Sequence, residues 1–278
     1  MPSHDLVTAR RIRQIILRES KQANVGHIGS CLCVADILTV LYGSVLRIAS
    51  PADRDRDRFI LSKGHAGLAL FAVLSLRGFF PESLLQDFCG EDTRLGVHPD
   101  AALTGVDFST GSLGHGLSFA AGAALAARMQ NSGRRVFCLI SDAELNEGST
   151  WEAIMFAAHH RLGNLTAIVD WNGQQAFGAT RDVLDLSNLA ERWRAFGWRV
   201  SDVDGHSHGD LAAALSETET GLPHVVLART VFGRGVSYME QGVPITQSHL
   251  AVQPITWHYL PMSDKEYGIA LAEVEAAS

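Results

Sequence analysis

Val136-Phe-Cys-Leu-Ile140 runs without a break into Ser141-Asp142-Ala143-Glu144-Leu145-Asn146-Glu147-Gly148. One crossover later, Leu165-Thr-Ala-Ile-Val169 runs into Asp170-Trp171-Asn172-Gly173-Gln174. Neither apolar run alternates with polar residues, which is the pattern of parallel strands covered on both faces. Thr150 to Arg161 between them reads as the connecting helix. Asp142 and Asn172 therefore emerge at the carboxyl ends of two such strands, the rim where open α/β sheets bind their ligands. A carboxylate and an amide oxygen on one rim suit a hard cation such as Mg²⁺, with the Gln174 carbonyl best placed as a third ligand. Mg²⁺ keeps further positions for phosphate oxygens, with Ca²⁺ or Mn²⁺ as substitutes.

Working outward, Ala9, Ile12 and Ile16, preceded by Leu6, recur at helical spacing and predict an amphipathic first helix. The corner Asn24-Val-Gly-His27-Ile-Gly-Ser30 separates it from an apolar helix through Val34 to Tyr42. Asp53 to Arg58 reads as a solvated turn before the strand Phe59-Ile-Leu61. Ser62-Lys63-Gly64-His65 then opens a helix of small residues. The loop Gly96-Val-His98-Pro99 precedes Ser109-Thr-Gly111-Ser-Leu113-Gly-His115-Gly116, which leads into an Ala-rich helix from Ala120 to Met129. Further strands are expected at Trp198 to Val203 and His224 to Ala228. Strands alternating with helices, and no internal repeat or linker, predict one α/β domain over residues 1–278 with a doubly wound, mostly parallel sheet.

A chain of 278 residues can bury a core without staples, and a net charge of −7 offers no basic face for a nucleic acid. Charged residues in the first turns argue against a signal peptide, and no apolar run reaches the roughly 20 residues of a membrane span. Cys31, Cys33, Cys89 and Cys138 have neither paired CxxC spacing nor a disulfide framework, so they read as reduced packing residues and imply a cytoplasmic location.

These motifs occur together in one family. Asp142-Ala-Glu-Leu-Asn-Glu-Gly148 followed by Trp151-Glu152-Ala153, then Leu162-Gly-Asn-Leu165 and Asp170-Trp-Asn172, resembles the thiamine diphosphate fingerprint of transketolases. Asn24 to Ser30, Ser62 to His65, Gly96 to Asp100 and Thr110 to Ser118 resemble further blocks of that family in the same order, so the likeness runs from about residue 6 to residue 262. The resemblance implies a thiamine diphosphate-binding fold, with thiamine diphosphate and Mg²⁺ as cofactors. It implies that Asp142, Asn172 and the Gln174 carbonyl hold the metal, and that Gly111, Leu113, Ala143 and Glu147 lie against the cofactor. His65 and His258 match histidines near the diphosphate and the reactive centre, and His27 and His98 match histidines lining the substrate channel. All four are candidates for catalytic proton handling, work that suits imidazole near neutral pH. Glu147 and Glu152 match a proton relay between paired sites, although Ser149-Thr-Trp-Glu152 also fits a helix capping box.

Only the first of the family's three domains is represented. The resemblance therefore implies the N-terminal subunit of a split transketolase, moving a two-carbon ketol unit from a ketose to an aldehyde. A partner subunit would supply the pyrimidine-binding domain, and α₂β₂ is the expected assembly. The alternatives are a non-catalytic scaffold and a subunit of a 2-oxo acid decarboxylating or acyloin-forming enzyme. The scaffold is motivated by Ser141 and Ala143, which stand where the family signature has glycines. Two further departures, His115 in place of glutamine and the longer segment 241–256 before Trp257-His258-Tyr259, bear on the substrate more than on the cofactor.

Overall fold

The computed structural model describes residues 7–217, 221–240 and 256–277. Its centre is a five-stranded sheet of β1 (Arg58–Leu61), β2 (Val136–Ser141), β3 (Leu165–Trp171), β6 (Arg199–Asp204) and β7 (His224–Arg229). The spatial order is β1-β2-β3-β7-β6, and every neighbouring pair is parallel. All five strands expected from sequence are present, with ends shifted by one or two residues. A two-stranded antiparallel hairpin, β4 (Gln174–Gln175) and β5 (Gly178–Ala179), follows β3 directly and has no counterpart in the sequence reading.

Alternating side chains on each strand feed two separate cores, which explains why the strands read as unbroken apolar runs. Val136, Cys138 and Ile140 face α5 (Gly116–Met129), α6 (Gly148–His159) and α8 (Leu189–Ala195). Phe137 and Leu139 face the opposite layer, built from α1 (Ala9–Ala23), α2 (Ile28–Leu32), α3 (Ala35–Val40), α4 (Gly67–Leu76) and α9 (His208–Ser216). The sheet is thus wound on both faces, as expected. Short helices α7 (Thr180–Val183), α10 (Ser237–Glu240) and α11 (Thr256–Tyr259) border the rim, and α12 (Asp264–Ala276) packs its Ala270 and Val274 into the α1 layer.

The helices carry the expected periodicity. In α1, Ala9, Ile12 and Ile16 are buried, and Thr8 caps the first turn by accepting from the Arg11 N–H at 3.1 Å. Leu6 lies outside the described residues, as do positions 241–255 of the longer segment. The stretch Ile28–Val45 is apolar and helical enough to span a membrane, yet 89% of it is buried inside this fold as a core element.

Three local expectations need correction. Ile28, Gly29 and Ser30 are helical, so the glycine corner narrows to the residues around Gly26 and His27. Arg56 and Asp57 are buried rather than solvated. Arg56 forms a bidentate pair with Asp107, and Asp57 accepts from the guanidinium groups of Arg47 and Arg135, so these charges are compensated inside the fold. The capping box at Ser149 does not form, because α6 begins two residues earlier, at Gly148, and the Ser149 hydroxyl donates to the Gly114 carbonyl at 3.0 Å.

Candidate active site

Three loops meet at the carboxyl rim of β1, β2 and β3. The segment leaving β2 turns at Asp142, which is fully buried. One carboxylate oxygen accepts from the Ala143 N–H at 2.9 Å, and the other from the Gly173 N–H at 2.9 Å and the Thr180 hydroxyl at 3.0 Å. Asp142 thereby grips the turn that carries Asn172. Burial, with the charge of Asp170 nearby, pushes the Asp142 carboxyl up to about 7. Among the described residues no lysine or arginine pairs with it. A carboxylate has about four lone-pair directions, and three are taken here.

Asn172 has both ends of its amide engaged. Its Oδ1 accepts from the Gln174 N–H at 2.8 Å, and its Nδ2 donates to Asp170 at 2.9 Å. The oxygen keeps one lone pair. Asp170 and Lys63 are both fully buried and form an ion pair at 2.5 Å. The Cys33 thiol, 3.2 Å away, and the Thr230 hydroxyl complete the shell around Asp170. Lys63 holds the Asp170 carboxyl below its usual range against the cost of burial. Cys33 is reduced and buried as expected, but it contacts charge as well as core.

Glu144 ties the loops together. It is fully buried, and its carboxylate accepts from the Ser62 hydroxyl, from the Gly114 N–H at 2.9 Å and from the Ser141 N–H at 2.9 Å. Ser62 in turn accepts from the Gly116 N–H at 3.0 Å. Two glycines allow this closeness. A Cβ on Gly64 would lie 2.8 Å from the Gly111 nitrogen, and one on Gly114, whose φ is +87°, would meet Glu147 and Ser149 at 2.7 Å.

Above these loops the histidines converge. The rings of His27, His65 and His258 lie 5.4–5.5 Å apart, centre to centre. The His27 N–H donates to the His258 carbonyl at 3.1 Å, and Tyr259 leans on both His27 and His258. His98 is exposed at the edge and packs over Gly111, whose added Cβ would lie 3.2 Å from its ring. Burial drives the imidazoles of His27 and His65 below their normal range and that of His258 down to about 4. These rings are neutral near pH 7 and can each accept as well as donate. Nδ1 of His27 and of His258 is buried with no partner among the described residues.

This donor set fits the cofactor pair suggested by the sequence. A buried carboxylate with no cation of its own among the described residues and an amide oxygen with a spare lone pair suit a divalent metal. The unpartnered imidazole nitrogens above them suit polar groups of a bound molecule. Gly111 lies against Gly64 and the His98 ring and Leu113 is half-buried, while Glu147 and Glu152 are exposed on this chain. The Ala143 N–H is itself taken up by the Asp142 carboxylate.

Residues 4–256 match the family described as "Transketolase, thiamine diphosphate binding domain". The chain belongs to the transketolase family. It is 37% identical to the 6-deoxy-6-sulfo-D-fructose transketolase subunit SqwG of Clostridium sp. (strain MSTE9), over 96% of this chain and 94% of that protein. It is also 37% identical to one subunit of the apulose-4-phosphate transketolase of Actinobacillus succinogenes, over 95% and 92% of the two chains. Human transketolase is 36% identical over 97% of this chain, which spans 44% of the human protein. Among solved structures, the transketolase of Campylobacter jejuni superposes with a TM-score of 0.86 at 28% identity, covering 99% of this chain and 43% of that one.

Within this transketolase chain, sequence reasoning missed Lys63, Asp170 and Glu144 as working parts of the site. Each stood inside a quoted motif as a neighbour of a candidate. The signal for Lys63 and Asp170 was available, since a charge at the end of an otherwise buried strand needs a partner. Glu144, two residues after the metal candidate, carried no such signal until the loops were seen to close on it.

Proposed function

We propose that this chain is the N-terminal subunit of a two-chain transketolase that uses thiamine diphosphate and Mg²⁺. The observation that carries the reading is that Asp142 grips the turn of Asn172 while Glu144 ties the Asp142 segment to the Ser62 loop, whose His65 clusters with His27 and His258. Asp142, Asn172 and the Gln174 carbonyl would hold the metal, and Gly111, Leu113, Ala143, Glu147, His65 and His258 would border the cofactor. When bound, that cofactor supplies a carbanion able to accept and release a two-carbon ketol unit.

What this chain adds is orientation and proton handling. His27, His65, His98 and His258 can donate to a carbonyl or hydroxyl oxygen and take the proton back, because burial keeps the inner three uncharged. The subunit-length relatives are named for a sulfonated and a phosphorylated sugar. A ketose with an anionic tail is therefore the proposed donor class, with the tail bound by the partner.

That partner is a transketolase-like protein carrying the pyrimidine-binding domain, in an α₂β₂ complex in the cytoplasm. Support for a seat comes from α5 and α6, whose outer faces expose Phe119, Met129, Met155 and Phe156 around Glu152. Covering that face would also bury Glu152, as a relay with Glu147 between paired sites requires. The test is reconstitution with the partner, assayed with ketose phosphates, ketose sulfonates and pyruvate. Ketol transfer is expected from a ketose, abolished in Asp142→Ala and reduced at least tenfold in His65→Ala. Turnover of pyruvate alone would overturn the assignment.

A further inference from the structure

The amide of Asn172 is held in one of its two possible orientations from both ends. Its Nδ2 donates to Asp170 at 2.9 Å, and its Oδ1 accepts from the Gln174 N–H at 2.8 Å. A flipped amide would set oxygen against a carboxylate and NH₂ against an N–H, losing two hydrogen bonds and gaining two repulsions. The backbone donor at Gln174 is exerted within the turn itself. Asp170 acts from the end of β3, the strand that leads into Asn172, and is the stronger of the two, being a carboxylate rather than a neutral group.

We propose that Asp170, neutralised by Lys63, is a positioning residue that fixes the Asn172 side chain with its oxygen toward the cation site beside Asp142. This rests on the cation site proposed above. Asp170 does not ligate the metal in this arrangement, because its two oxygens are taken by Lys63, Thr230, Cys33 and Asn172. Lys63 has no exposed surface and, among the described residues, pairs with no carboxylate other than Asp170, so its role is to make a buried carboxylate tolerable where the amide needs an acceptor. Without that acceptor the amide can turn either end to the metal, and an NH₂ cannot coordinate it.

The test is a cycle of variants in the full-length chain co-expressed with its partner. The readout is Mn²⁺ uptake in the presence of thiamine diphosphate, followed by the electron paramagnetic resonance of free Mn²⁺. Lys63→Met/Asp170→Val removes both charges together, a replacement that buried ion pairs often tolerate. It should weaken Mn²⁺ binding about 10- to 100-fold, as loss of groups that orient a ligand does. Asn172→Asp alone should also weaken binding despite its added charge, since a second carboxylate cannot donate to Asp170. In the Lys63→Met/Asp170→Val background the same Asn172→Asp change should strengthen binding, because nothing remains to repel it.

Equal Mn²⁺ affinity in the wild type and Lys63→Met/Asp170→Val, or the same effect of Asn172→Asp in both backgrounds, would overturn the proposal. If Lys63→Met/Asp170→Val does not fold by near-ultraviolet circular dichroism, Asn172→Asp alone decides, and tighter binding refutes the idea. A folded wild type that takes up no Mn²⁺ would instead sink the cation site, and an Asp142→Asn control that binds like wild type would do the same.

Discussion

His224 allows the burial argument to be tested away from the site. It opens β7 next to Arg199 of β6, is 3% exposed, and meets the Ser201 hydroxyl through Nε2 at 2.9 Å. Its Nδ1 has no partner among the described residues. Burial first, and the Arg199 charge second, bring its pKa down from 6.5 to about 4. The folded state therefore binds fewer protons than the unfolded chain between those values. Stability is present above the unfolded pKa and is lost as pH falls toward the folded one. Linkage puts the loss at about 2 kcal/mol for this residue on going from about pH 7.5 to about pH 5. The perturbation is His224→Gln, which cannot titrate, and the assay is urea unfolding of both proteins at both pH values. The drop in stability between them should be smaller in the variant by about 2 kcal/mol, whatever the variant does to stability at about pH 7.5. His27, His65 and His258 add acid sensitivity common to both proteins, so it cancels in the comparison. An unchanged pH dependence would falsify the claim that this imidazole is held neutral by its surroundings.

Three further outcomes follow from the loops and surfaces described. Gly114→Ala places a methyl against Glu147 and Ser149 at a positive φ, and should cost about 1–3 kcal/mol and lower thiamine diphosphate affinity in calorimetry; unchanged affinity would show that this loop does not meet the cofactor. Ser62→Ala removes a hydrogen bond to a buried carboxylate and the acceptor for the Gly116 N–H, so urea unfolding should show a loss of about 2–3 kcal/mol, and a loss below about 0.5 kcal/mol would contradict the described network. Phe119→Asp with Met155→Asp should leave the fold intact by circular dichroism yet prevent assembly in sedimentation, while normal assembly would place the partner elsewhere.

The sheet was legible because its strands are buried on both faces, so Val136 to Ile140 and Leu165 to Val169 could hardly belong to anything else. Strand identity also placed Asp142 and Asn172 on one rim, since parallel neighbours share an end. The motifs in which His27, His65, His98 and His258 stand resembled a family, and the fold brought them together from four separate segments. What could not be read depended on contacts distant along the chain. Asp57 looked solvated in a run of alternating charge because Arg135, its partner, lies on another strand end. Ser149 resembled a cap because local spacing cannot show that Gly114 would claim its hydroxyl. Lys63 and Asp170 lie 107 positions apart, and only the parallel sheet makes them neighbours.

His27 sits at φ +61°, in the left-handed region, at the start of α2 with its ring in the histidine cluster. A residue with a Cβ there carries a conformational cost of about 1 kcal/mol that glycine escapes and asparagine lessens by bonding its own backbone. Directed selection for heat tolerance would accordingly keep enriching Gly or Asn at position 27, and each such clone would gain thermal endurance while losing an imidazole from the chamber. Libraries built on this chain are best designed with that codon held constant.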